Sequence, residues 1–552
     1  MATVDEIAED YVERSAGLDP VSATHWGING FDHLMTDLSP AGFAARAELD
    51  EATLTAVAAA KADGNRERIA RDAMVERLAV ERDLYRSGAV TSELNVIASW
   101  LQGVRQVFDL MPTDGEEAQR NLAARMALVP AAYAGLRETY LAAAREGQVA
   151  ARRQVIACAK QCADWSAQGA GFYSGLVGRT GADGPMRADL DRAAAEATAA
   201  TAEFGKFLEG ELLPLAPERD AAGRERYALA SRNFLGATID LDEAYAWGWA
   251  EVLRIEEEMR QVAGQIVPGG TLADAVAALE ADPARRITGR DALRDWMQGI
   301  ADATVAELDG THFDIPEPAR RIECMIAPTS SGGIYYTGPS EDWTRPGRMW
   351  WSLPDGVDEF STWKELTTIY HEGVPGHHLQ VAQAVFLAGQ LNRWQRLMCW
   401  VSGHGEGWAL YAERLMDELG YLADPGDRLG MLDAQLLRAA RVVVDMGVHL
   451  ELPVPADSPW HPGETWNYDL AWEFLSSRVQ VEEQMLRFEL DRYLGWPGQA
   501  SAYKLGERIW LQAREEVRQR HGAAFDLKDF HTKALALGSI GLDPLRDALS
   551  RL

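Results

Sequence analysis

The residues best able to do chemistry fall in two nearby segments, STWKELTTIYHEGVPGHHLQ (361–380) and GHGEGWALYAERL (403–415). A hydrolytic zinc site needs two or three neutral nitrogen ligands, a carboxylate ligand, one open position and a general base close by. A His-Glu pair on a helix can supply the first nitrogen and the base together, and His371-Glu372 is such a pair. Adjacent helical residues lie about 100° apart around the axis, so Glu372 can reach an attacking water rather than the ion. The usual second ligand is a His four residues on, but position 375 is Pro. His377 and His378 follow six and seven residues after His371. On an unbroken helix His378 would stand about 10 Å along the axis, too far for two bonds of about 2 Å to one ion. The backbone must therefore bulge or break. Gly373, Pro375 and Gly376 provide the means, Pro375 by clashing with the carbonyl four residues back. A two-residue bulge brings His377 to the one-turn position, so His377 is expected as second ligand with His378 in reserve. Glu406, near a helix start, is the expected third ligand, with His404 competing. Glu413, two turns on, suits a hydrogen bond to a ligating imidazole.

Helices must hold these side chains. Thr362 followed by Glu365 fits a capping box, and Trp363, Leu366, Thr367 and Tyr370 then recur at helical spacing, predicting a buried face. Upstream, apolar residues at three- and four-residue spacing predict helices over 116–147, 189–212, 241–266 and 290–308, separated by Pro and Gly breakers. Near 320 the texture changes: RIECMIA (321–327), GGIYYTG (332–338) and RMWWSLP (348–354) read as short strands. The expectation is a mainly α protein, a large helical two-lobed body (1–310 and 311–552, one structural unit) with a small β-sheet beside the metal-bearing helices.

Further candidates lie downstream. In RAARVVVDMGVHL (438–450), Arg441, Asp445 and His449 recur every four residues, a polar ridge on an apolar helix. Such a ridge either pairs internally or lines a cleft, where Arg441 would meet substrate, Asp445 would orient a ligand and His449 would assist catalysis. In DRYLGWPGQASAYKLGERIW (491–510), Tyr493 or Tyr503 could donate to an oxyanion, and Arg492 or Lys504 could meet a substrate carboxylate. The loop PSEDWTRPG, with Ser340, Asp342 and Arg345, has the composition of a turn. No phosphate loop with its Lys, no dinucleotide fingerprint and no nucleophile elbow is present, and GAGFYSG (169–175) lacks both the spacing and a preceding strand.

Composition narrows the field. A formal charge of -30, from 84 acidic and 54 basic residues, argues against nucleic acid and anionic membrane surfaces as partners. Four cysteines in 552 residues are no disulfide framework, and Cys158 and Cys162, four apart, read as buried thiols before paired ligands. The acidic N-terminus has no apolar leader segment and no stretch reaches the ~18 apolar residues of a membrane span, so a cytoplasmic location is expected.

HEGVPGHHLQ, EGWALYAE, RVVVDMGVHL and RYLGWPGQASAYKLG, with DPVSATHWGINGFDHLMTDLSP (19–40) and PSEDWTRPG, resemble the successive motifs of the bacterial domain-of-unknown-function 885 family. That family is regarded as similar to zinc peptidases of the gluzincin type, mostly helical with a deep cleft and a small sheet. The resemblance implies His371 and His377 or His378 as zinc ligands, Glu406 as third ligand, Glu372 as catalytic acid/base, and short peptides as substrates. A hydrolase of a non-peptide amide or ester, and a non-catalytic ligand-binding relative, are the alternatives.

Overall fold

Every segment with strong helical periodicity forms a helix. The 116–147 stretch becomes Glu116–Met126 and Val129–Arg145, divided where Pro130 starts the second helix. Gly184–Phe207, Leu241–Ile266 and Arg290–Leu308 account for the others, the first widening into a π-turn over Leu208–Leu212 just before Pro214. The computed structural model describes residues 2–169, 171–327, 333–353 and 356–551. Gly332 and Pro354, at the ends of two predicted strands, and Ala170 of GAGFYSG lie outside the described residues.

The chain forms two compact units. The first comprises Met1–Ala230, Val448–Leu450 and Arg487–Pro497, and the second Ser231–Gly447, Glu451–Leu486 and Gly498–Leu552. The division expected at 310 is thus displaced: the helices between 231 and 310 cluster with the metal-site segment. The change of texture near 320 marks strands inside one packing unit, not its edge.

The first unit packs around the Gly184–Phe207 helix, whose Leu190, Ala193, Ala197 and Phe204 meet Tyr133, Val155, Cys158 and Cys162. Burial pushes the Cys162 thiol up to about 12 and the Cys158 thiol higher still, so both behave as small apolar groups. All four cysteines are free and buried. The 19–40 motif has a structural role. The fully buried Arg125 donates to the backbone oxygens of Leu34 (2.7 Å), Phe31 (2.9 Å) and Pro20 (3.2 Å) and to Thr24 Oγ1 (2.9 Å), pinning that segment.

In the second unit three strands form a small sheet in the order β2-β4-β3. Here β2 is Ile322–Ile326, β3 is Ile334–Thr337 and β4 is Gly347–Trp351, while β1 (Arg286–Thr288) and β5 (Glu359–Ser361) make a separate antiparallel ribbon. The central β4 runs parallel to β2, with Cys324 opposite Met349, and antiparallel to β3, with Tyr336 opposite Met349. Alternate β4 side chains, Met349 and Trp351, point into a core shared with Leu293, Met297 and Ile369. Ile369 belongs to the helix carrying His371, so the sheet buttresses that helix.

The helix Ser402–Glu418, which carries Glu406, lies against Gln499–His521 at backbone contact. A Cβ on Gly407 would overlap the Gly506 backbone, and one on Gly506 would overlap the Gly403 carbonyl. Glycines at 407 and 506 therefore set the spacing of the pair, whereas a Cβ on Gly403 would meet Leu235. Gly407→Ala is expected to lower unfolding stability by about 1–3 kcal/mol through overpacking, read from denaturant or thermal melts; an unchanged melt would mean the helices can separate freely.

Candidate metal centre

The helix Thr362–Glu372 begins where the sequence indicated, but for another reason. Its N-cap is Ser361, without a side-chain cap bond, and the Glu365 carboxylate instead accepts from Trp351 Nε1 at 2.7 Å. Trp363, Leu366, Thr367 and Tyr370 are buried as predicted, and His371 and Glu372 lie in the last turn.

The helix does not bulge; it ends. Gly373 is its C-cap, residues 373–376 form a turn containing a cis Val374-Pro375 bond, and a new helix, His377–Phe386, starts at His377. Glycine is required at 376, because a Cβ there would overlap the His371 and Tyr370 carbonyl oxygens. Gly376 N donates to Tyr370 O (3.0 Å) and His378 N to Gly373 O (3.1 Å). From the neighbouring helix, Trp408 Nε1 donates to Pro375 O at 2.9 Å and to Gly376 O at 3.3 Å.

That turn brings the imidazoles of His371 and His377 to 4.8 Å between ring centroids, at 90° to one another. Nε2 of each lies 3.4 Å from Glu406 Oε2, and one donor atom from each of the three residues lies within 4.8 Å of the others. Four ligands at about 2.05 Å in a tetrahedron stand about 3.3 Å apart, so the two 3.4 Å separations fit a zinc-sized ion. Two imidazoles and a carboxylate are also the donor set that such an ion takes. The Glu406 side chain is 18% exposed, against 5% for His371 and 8% for His377, which leaves an approach on the Glu406 side.

Hydrogen bonds set the tautomer of His371. His371 Nδ1 donates to Glu413 Oε1 at 2.7 Å, and Thr367 Oγ1 donates to Glu413 Oε2 at 2.7 Å. With Nδ1 protonated, Nε2 presents its lone pair. Burial alone would lower the His371 pKa, but Glu406 and Glu413 outweigh it and raise it to about 9. Burial would likewise raise both carboxyls; the two imidazoles hold Glu406 well below the ordinary range, and His371 holds Glu413 down. Glu372 behaves oppositely. Burial raises its pKa, only partly offset by the imidazoles, and its Oε2 has no hydrogen-bond partner among the described residues.

The competing histidines are engaged elsewhere. His378 donates from Nε2 to Ala319 O (2.7 Å) and accepts from the Tyr336 hydroxyl at Nδ1 (2.9 Å), and burial lowers its pKa to about 4. The reserve assignment is therefore corrected: both His378 nitrogens are spent on structure. His404 donates from Nδ1 to Ile540 O at 2.8 Å, and burial lowers it to about 4.

The downstream candidates have partners of their own. Arg441 lies over the Tyr503 ring at 4.8 Å, and Asp445 accepts from Gly498 N at 3.1 Å. His449 belongs to the first unit, where its Nδ1 accepts from Ala222 N (3.2 Å) and its Nε2 donates to Tyr493 O (3.0 Å). Arg492 and Tyr493, also in the first unit, both donate to Glu489 Oε2, at 2.9 and 2.6 Å. Lys504 is 1% exposed, with its ammonium on Glu507, Gln435 and, at 3.2 Å, Glu251. Substrate contact by Lys504 is corrected to an internal counter-charge, since a buried ammonium survives only when paired. In PSEDWTRPG, Asp342 Oδ1 accepts from Ser340 Oγ (2.7 Å) and from Thr344 N (3.1 Å) and Oγ1 (2.7 Å), the bonds of a turn.

Two residues near the site escaped the sequence reading. Arg438, three residues before Arg441, holds down both Glu372 and Glu413 electrostatically, and its Nε has no hydrogen-bond partner among the described residues. Gln380, one turn after His377, is 4% exposed with both amide atoms unpaired among the described residues. The cue for each was a polar residue one helical turn from a candidate already chosen.

Glu413→Ala is expected to weaken zinc binding 10–100-fold, measured by competition with a chromophoric chelator. Because His371 must lose a proton to ligate and titrates near 9 in the metal-free chain, affinity should rise with pH up to about 9. Proton release on zinc addition at pH 7 would report it; binding with no proton release contradicts the assignment of His371.

Two solved structures share the fold end to end. "The crystal structure of the putative lipoprotein from Colwellia psychrerythraea" matches with a TM-score of 0.85 and 22% identity, covering 100% of this chain and 99% of that one. "The structure of a putative lipoprotein of unknown function from Shewanella oneidensis" matches at 0.74 and 18% identity, covering 99% of each chain. No curated protein matches the chain. The expected cytoplasmic location is overturned by these neighbours, since lipoproteins are anchored to membranes outside the cytoplasm. No helix among the described residues is long and apolar enough to cross a membrane. Residues 20–549 match the family described as "Bacterial protein of unknown function (DUF885)", and the chain belongs to that family.

Proposed function

We propose that this chain is a zinc-dependent hydrolase that cleaves short peptides. One observation carries the reading: His371, His377 and Glu406 bring three donor atoms within 4.8 Å of one another, with the desolvated carboxyl of Glu372 next in sequence to His371. A zinc ion held there would polarise a scissile carbonyl and lower the pKa of the attacking water. The remaining work belongs to the chain. Glu372 accepts the water's proton and delivers it to the leaving amine as the carbon–nitrogen bond breaks. Glu413 and Thr367 keep His371 in one tautomer throughout. The Arg438 guanidinium, electrostatically coupled to Glu372, supplies positive charge for an oxyanion or a substrate carboxylate. A base beside the first His and a carboxylate ligand from a following helix are features of the gluzincin-type peptidases, which supports the same reading.

Glu372→Ala is expected to lower kcat by about a thousandfold while zinc content stays at one ion per chain; zinc loss instead would make Glu372 a ligand. A chelator should abolish turnover of short peptides and added zinc restore it. Cleavage of acyl esters but not peptides would transfer the reading to a non-peptide hydrolase, and ligand binding without turnover to a binding protein. Equal cleavage of large denatured proteins would remove the restriction to short peptides.

A further inference from the structure

Beside the three donor groups stands an aromatic residue that the chemistry above leaves unused. Trp400 is 50% exposed, although the residues on either side, Cys399 and Val401, are buried. Its ring centroid lies 6.2 Å from that of His377, with the planes tilted by 52°. The six-membered ring of the indole rests on the backbone at Gly405, the residue before Glu406, where a Cβ would overlap it. The φ of Gly405 is not positive, so glycine is needed there for space alone. The segment beneath the indole is fixed: Cys399 N donates to Trp394 O (3.0 Å), Cys399 Sγ to Ser539 O (3.1 Å), and the Val401 carbonyl accepts from His404 N and Gly405 N (both 3.0 Å).

Single exposed apolar residues are ordinary on protein surfaces and need no explanation. Trp400 differs because it is held beside one candidate metal ligand, His377, and against the backbone at Gly405, next in sequence to another, while it stays half exposed. Consecutive Cα atoms of a peptide lie about 3.8 Å apart. A ring 6.2 Å from a ligating imidazole is thus within reach of the side chain next to the attacked bond. An indole offers apolar area and a π face at small entropic cost, and it favours aromatic partners over small ones.

We infer that Trp400 is the specificity-determining platform of the site, receiving an aromatic or large apolar side chain of the substrate residue adjoining the scissile bond. The inference rests on the hydrolase reading for its substrate class and extends it to a side-chain preference.

The test compares tetra-alanine with the same peptide carrying phenylalanine at its third position. With zinc-loaded protein, Trp400→Ala should lower the ratio of kcat/KM for the phenylalanine peptide to that for tetra-alanine about tenfold, while Trp400→Phe recovers most of that ratio. Calorimetric titration in a Glu372→Ala background reads the same preference without turnover, and adding Trp400→Ala there should weaken phenylalanine-peptide binding by a similar factor. Equal losses on both peptides, or binding of neither, overturn the platform. If the unaltered protein cleaves neither peptide but binding preference still follows Trp400, the platform stands and the hydrolase reading fails. If both are cleaved and Trp400→Ala leaves the preference unchanged, the platform alone fails.

Discussion

The site depends on a backbone turn that only glycine permits. At Gly376 the chain passes so close to the His371 carbonyl that a side chain has no room. That proximity ends one helix at Glu372 and starts the next at His377, which puts a His six residues on where a helix would place one four residues on. The turn is held from outside. Trp408 donates to the carbonyls of Pro375 and Gly376 from the helix that also carries Glu406 and Glu413. One helix therefore contributes the third donor, the partner of the first imidazole and the bond that fixes the turn. Its own seating depends on glycine contacts with Gln499–His521.

Charge bears on why this arrangement would suit a cation. With the imidazoles neutral, Glu406 and Glu413 place two negative charges in a largely buried pocket, and Glu372 adds a third carboxyl that resists ionisation. Like charges brought together in a poorly solvated place are costly unless something offsets them. In the metal-free chain His371 does so by holding its proton to about pH 9. A divalent ion is the stronger offset and would displace that proton. Burial, which the two imidazoles only partly offset, leaves Glu372 reluctant to ionise in the same chain.

Elsewhere buried charge is architectural. Arg125 closes on four oxygens of the 19–40 segment, and Lys504 is enclosed by Glu251, Glu507 and Gln435. His378 spends both nitrogens on Ala319 and Tyr336. A sequence shows such residues only as polar positions on apolar helices. Whether they meet substrate or a neighbouring carbonyl depends on what lies opposite, often a hundred or more residues away.

Local rules were enough for much of this protein. Helical periodicity located the long helices, β-branched and aromatic runs between Gly and Pro located the three strands of the small sheet, and ligand chemistry picked out His371, His377 and Glu406, whose donor atoms the fold brings within 4.8 Å of one another, and Glu413, which accepts from His371. Each of these follows from interactions within about one helical turn, or from what a metal demands of its donors. Tertiary structure decided the rest. It chose His377 over His378, because Ala319 and Tyr336 claim the latter. It assigned Glu365 to Trp351 rather than to a cap, and Lys504 to Glu251 and Glu507 rather than to substrate. It moved the boundary between units from 310 to 230, since packing and not texture defines a unit. For the three side chains the physical reason is shared: a polar group goes to the partner that best repays its desolvation, and only the fold brings Ala319, Trp351 and Glu251 to them.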